Sequence, residues 1–77
     1  MVSNKTLKAY EFKSMFEYYE YILESKINGQ HKQVKDLIAA CSKEQKKAFL
    51  VHLDSEDWME GCKDDIAYCK EETLIQL

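Results

Sequence analysis

Lys5–Ile27 reads KTLKAYEFKSMFEYYEYILESKI, and this stretch decides the fold class. Phe12, Met15, Phe16, Tyr19, Ile22 and Leu23 recur at three- and four-residue steps, the spacing of one helix face. Ser3 or Asn4 supplies an N-cap and Asn28-Gly29 a stop. The pattern therefore predicts one long first helix over Lys5–Ile27 with that stripe turned to the core.

The same stretch carries more apolar surface than one core face needs. Leu7, Tyr10, Tyr18 and Tyr21, with Ser14 between them, also follow helical spacing and line the side roughly opposite Phe12, Phe16 and Tyr19. Two uses fit such a second stripe. The rest of a small domain can wrap the helix from both sides, or the tyrosines can form a face for a partner or a second copy, because tyrosine brings large area at low rotamer entropy. The second use predicts that Tyr10, Tyr18 and Tyr21 form one contiguous exposed patch.

Three shorter helices follow. Gln30–Cys41 places Val34, Leu37, Ile38 and Cys41 on one face and Lys32, Lys35 and Asp36 on the other. Ser42-Lys43-Glu44-Gln45 has the capping-box pattern and opens a third. The run Ala48–Leu53 within it is continuously apolar, as a buried strand would be, but the chain offers no second strand to satisfy its backbone. Asp54 or Ser55 is expected to cap a fourth helix whose apolar face is Trp58, Met59, Cys62, Ile66, Cys69 and Thr73, with Gly61 inside it as a close crossing or kink. Leu74–Leu77 forms an apolar tail that either docks on the body or joins an interface. The expectation is an all-α, four-helix bundle-like domain over residues 1–77, with one long N-terminal helix and three shorter ones.

Composition sets the bounds. Seventy-seven residues make one domain, and a chain this small is marginally stable. Nine aromatics argue against disorder. No run approaches the roughly 20 apolar residues of a membrane span, and no signal core follows the N-terminus, so a cytoplasmic protein is expected. Cys62 and Cys69, seven apart on one predicted helix, lie about 10 Å apart, too far for a disulfide. Cys41 can reach one of them, but all three fall on apolar stripes and read as reduced core thiols. Arginine and proline are absent, and an all-lysine basic complement matches an A/T-rich genome, such as that of a low-GC bacterium or its phage.

Charge is separated along the chain. Residues 25–48 hold six lysines against Asp36 and Glu44, whereas residues 54–72 hold eight acids against Lys63 and Lys70. Solvated faces explain both blocks, and acids at a helix start complement its dipole. The functional alternative makes Asp54, Glu56, Asp57, Glu60, Asp64 and Asp65 a patch that steers the chain toward a basic surface.

Catalytic and metal motifs fail. His31 and His52 are the only imidazoles, and no cysteine pair has the spacing of structural zinc. Asp54-Ser55-Glu56-Asp57 begins like a calcium loop but has Met59 where that loop needs glycine. A reactive cysteine needs an electropositive, solvated setting, and a phosphate cradle needs more than Gly29 and Gly61. The expectation is a non-enzymatic protein without metal or cofactor. It would bind a larger protein as a small inhibitor or regulator, through Leu7, Tyr10, Tyr18 and Tyr21 together with the acidic patch. Two alternatives stand beside it. One is phosphate binding to nucleic acid through Lys32, Lys35, Lys43, Lys46 and Lys47, which the negative charge, missing arginine and glycine-free turn oppose. The other is a structural homodimer formed through the first helix.

Overall fold

The computed structural model describes residues 2–55 and 63–77, all of whose regular structure is helical. Glu56, Asp57, Trp58, Met59, Glu60, Gly61 and Cys62, assigned above to the fourth helix, lie outside the described residues. Five helices follow in order: α1 (Asn4–Ala9), α2 (Met15–Ile27), α3 (His31–Ala39), α4 (Lys43–Ser55) and α5 (Lys63–Gln76).

The long first helix is corrected: it is broken into α1 and α2. α1 starts as expected, with the Ser3 hydroxyl accepting from the Thr6 N–H at 3.2 Å. It ends in a turn where Glu11 adopts φ 62°, a left-handed conformation in a non-glycine residue. The Glu11 N–H donates to the Lys8 carbonyl and the Phe12 N–H to the Leu7 carbonyl, the paired bonds of a Schellman motif. α2 ends in the same motif: Gly29 has φ 79°, its N–H donates to the Lys26 carbonyl, and the Gln30 N–H donates to the Ser25 carbonyl. One copy uses the residue that fits the turn; the other uses glutamate.

Burial explains why the break forms without glycine. Folding the arm back buries Val2 and Leu7 and packs Phe12 against the core. Each buried aliphatic side chain contributes about 1.5–3 kcal/mol, against roughly 1–2 kcal/mol for a left-handed non-glycine residue. Burial wins. The Gln45 side chain then holds Val2 by both backbone groups, accepting from its N–H at 3.0 Å and donating to its carbonyl at 2.7 Å.

The expected capping box forms. The Gln45 N–H donates to the Ser42 hydroxyl at 3.2 Å, and the Ser42 N–H donates to the Gln45 Oε1 at 2.9 Å. The Ala48–Leu53 run is helical, within α4. Asp54 and Ser55 are the last two residues of α4, and the helix start they were expected to cap lies outside the described residues. α5 runs on through the tail to Gln76, whose Nε2 donates to the Lys35 carbonyl at 3.2 Å.

α2 packs on α3, α4 and α5, and α5 also touches α3 and α4. Ile22, Val34, Ile38, Phe49, Leu53, Ile66 and Cys69 are fully enclosed between them. The core stripe of the first helix is therefore only half kept. Tyr19, Ile22 and Leu23 are buried and Phe12 and Met15 partly so, whereas Phe16 is 57% exposed, its ring edge on His52.

Cys41 and Cys69 are buried free thiols, as expected. Burial pushes Cys69 up to about 12, with Asp65 adding to it, and pushes Tyr19 up to about 12, with Cys41 adding to it. Below the ordinary values of 9.0 for the thiol and 10.0 for the phenol, both groups are protonated in folded and unfolded chains alike. Their contribution to stability is then fully present. As pH rises toward 12 the unfolded chain sheds protons that the folded chain keeps, so stability is lost. Urea titrations at stepped alkaline pH are expected to show a falling midpoint above about pH 9; a flat midpoint contradicts the burial of these groups.

Candidate functional site

The break in the first helix builds a groove. Three segments shape it: the end of α1 with the bend after it, one side of α2, and the exposed side of α3. It encloses about 950 Å³ and is open to solvent. Phe12, carried into it by the bend, sits at its aromatic centre. The Phe12 ring lies 6.3 Å from Tyr10 in a stacked pair, 5.9 Å from Tyr18 edge-on, and 5.4 Å from Tyr21.

The three tyrosines are placed differently, which corrects the expectation of one contiguous exposed patch. Tyr18 is only 2% exposed. Its hydroxyl donates to the Leu37 carbonyl at 2.7 Å, tying α2 to α3, and burial holds its pKa well above the usual phenol range. Leu7 is buried as well. Tyr10 at 68% and Tyr21 at 37% remain on the surface, and both line the groove. Tyr21 is oriented by Gln33, whose Nε2 donates to the tyrosine hydroxyl at 2.6 Å and to the Ser25 hydroxyl at 3.1 Å. The rim on α3 carries His31, Lys32 and Asp36, all exposed. Sequence reasoning placed Phe12 in the core and passed over Gln33 and Leu37 as site residues. The missed signal was Ser14-Met15-Phe16-Glu17, an S-x-x-E helix start inside the apparent long helix. In the structure Ser14 is the N-cap of α2, and the Glu17 carboxylate accepts from the Lys13 N–H at 2.6 Å.

The acidic cluster does not join the groove, whose lining contains a single acid, Asp36. Asp64 and Asp65 lie in the first turn of α5, Asp54 in the last turn of α4. Asp65 pairs with Lys26 at 3.0 Å and Asp54 with Lys70 at 2.9 Å. Glu56, Asp57 and Glu60 lie outside the described residues. Of the lysines, Lys32, Lys35, Lys43 and Lys47 are exposed and Lys46 is half-buried. His52 is a half-buried boundary residue 3.8 Å from the Glu20 carboxylate. The His31 ring meets Tyr68 edge-on at 5.1 Å.

Among the described residues no group of three or more His, Cys, Asp and Glu is arranged to hold a metal ion. Among the same residues no helix is long and apolar enough to cross a membrane. No protein-family model matches the chain, and neither a curated protein nor a solved structure shows significant similarity to it.

Proposed function

We propose that this chain is a non-enzymatic, cytoplasmic protein-binding module that grips a larger protein through the aromatic groove, as a small inhibitor or regulator. One observation carries the reading: Tyr10 and Tyr21 flank Phe12 in ring contact along an open groove while keeping much of their surface in water. Fixed, half-wet aromatics are the side chains that dominate protein interfaces. The buried thiols, with pKa values raised by burial, support the non-enzymatic part. The acids of α5 act at longer range, steering the approach to a basic partner.

A photo-reactive phenylalanine in place of Tyr10, expressed in the cell that makes the protein, is expected to capture one partner. The same probe in place of Val51, exposed on α4 and outside the groove, is expected not to capture it. Tyr21→Ala should weaken capture about tenfold or more, as truncating an interface tyrosine does. Equal capture from both positions contradicts the proposal.

A second reading rests on the exposed Lys32, Lys35, Lys43 and Lys47, carried on α3 and α4 across a short turn. It makes the chain a phosphate-binding, nucleic-acid-associated protein. A gel shift that weakens steeply with salt favours it, and no shift at low salt removes it.

A further inference from the structure

The bend at Glu11 sets the pattern of the sequence against the burial of the arm. Ser3 to Ile27 contains no proline and no glycine, and its helical spacing runs unbroken across the bend. The bend itself holds glutamate at the left-handed position that Gly29 fills in the matching turn. Apolar spacing thus favours a straight helix, while the Ser14–Glu17 helix start and the tertiary burial of Val2 and Leu7 oppose it. In the closed chain Val2 and Met15 converge on one atom: Gln45 Nε2 lies 2.7 Å from the Val2 carbonyl oxygen and 3.9 Å from the Met15 sulfur. In a straight helix those two residues stand about 20 Å apart along the axis. A straightened chain therefore cannot reach its own Gln45.

We infer that residues 2–10 form an exchangeable arm, and that straightening at Glu11 delivers the arm of one copy to Gln45 of a second, giving a reciprocal domain-swapped dimer. The occupant of the vacated site is fixed by chemistry. Val2 needs its N–H and carbonyl met by one side-chain amide, and Leu7 needs an apolar seat, both of which an identical chain supplies unchanged. Exchange relieves the left-handed glutamate in both chains and gives up no clamp. It also moves Tyr10, which lines the groove, from its own chain's groove to that of the second copy, because the arm carries it. The inference stands whatever the groove binds.

The test is light scattering on purified protein across a concentration series, with two hinge variants. Wild type is expected to show a dimer fraction that grows with concentration. Glu11→Gly relieves the closed turn and weakens the straight helix, so it should raise the dimer dissociation constant roughly tenfold or more. Deleting Glu11–Lys13 removes the residues that make the bend and should give a dimer at all concentrations. In a dimer mixed from differently isotope-labelled chains, contacts between Val2 and Gln45 should be intermolecular. A folded, monomeric deletion variant overturns the inference, and so does a dimer whose Val2–Gln45 contacts stay within one chain. If the deletion variant does not fold, wild type and Glu11→Gly decide the matter. A dimer weakened by glycine supports exchange; no dimer in either, or a dimer indifferent to glycine, overturns it.

Discussion

Phe49→Ala is expected to destabilise the protein by about 3–5 kcal/mol, the range for truncating an enclosed phenylalanine. The Phe49 ring has no exposed surface and stacks on Tyr19 at 5.1 Å and 27°. That contact joins α4 to α2 at the point where the Tyr19 hydroxyl also donates to the Gln45 carbonyl. A domain of this size has a total stability of only about 4–12 kcal/mol, so the variant gives up a large share of it. Its thermal midpoint should fall by about 15 °C or more, measured by circular dichroism. Phe16→Ala is the informative control. Periodicity assigns Phe16 to the core as firmly as any residue in the chain, yet its ring is mostly in water, and its loss should cost under about 1 kcal/mol. Equal effects of the two substitutions would show that α2 presents a different face to the core.

Gln45→Ala should cost about 2–4 kcal/mol, far more than a half-buried glutamine on a helix ordinarily would. The side chain accepts from the Ser42 and Val2 N–H groups and donates to the Val2 carbonyl. Loss of the cap accounts for about 1 kcal/mol. Loss of the clamp leaves two backbone groups of buried Val2 without partners, at about 1–3 kcal/mol for each group that stays buried. The arm has a cheaper route, which is to detach and solvate them. Amide hydrogen exchange separates the outcomes from the rest of the fold: protection of Leu7 and Phe12 should collapse while that of α3 and α5 persists. Uniform loss of protection would mean that the arm and the body unfold as one unit.

Much of this architecture was legible before any coordinates. Helical character throughout the described residues, the apolar face of α3, the Ser42–Gln45 start of α4, the buried Cys41 and Cys69, and the buried Ile66, Cys69 and Thr73 of α5 follow from spacing and capping chemistry. The break at Glu11 was not. Turns of its kind are read from glycine, and this one has none. The only local trace was Ser14 and Glu17, a helix start that a continuous apolar stripe outweighed. Missing the break misplaced the site, since the groove exists only because Phe12 and Tyr10 are turned back toward α3. It also merged Tyr18 with Tyr10 and Tyr21, although a carbonyl on α3 holds the first in the core.

The sequence by itself determined which segments are helical and which faces are apolar, because both depend on neighbours within a turn or two along the chain. Tertiary structure alone decided that the first helix folds back on itself and that its tyrosines divide between core and groove. The reason is one of range. The burial of Val2 and Leu7, and the grip of a glutamine 43 residues away, outweigh the continuous helix that the apolar spacing favours, with only the Ser14–Glu17 start against it.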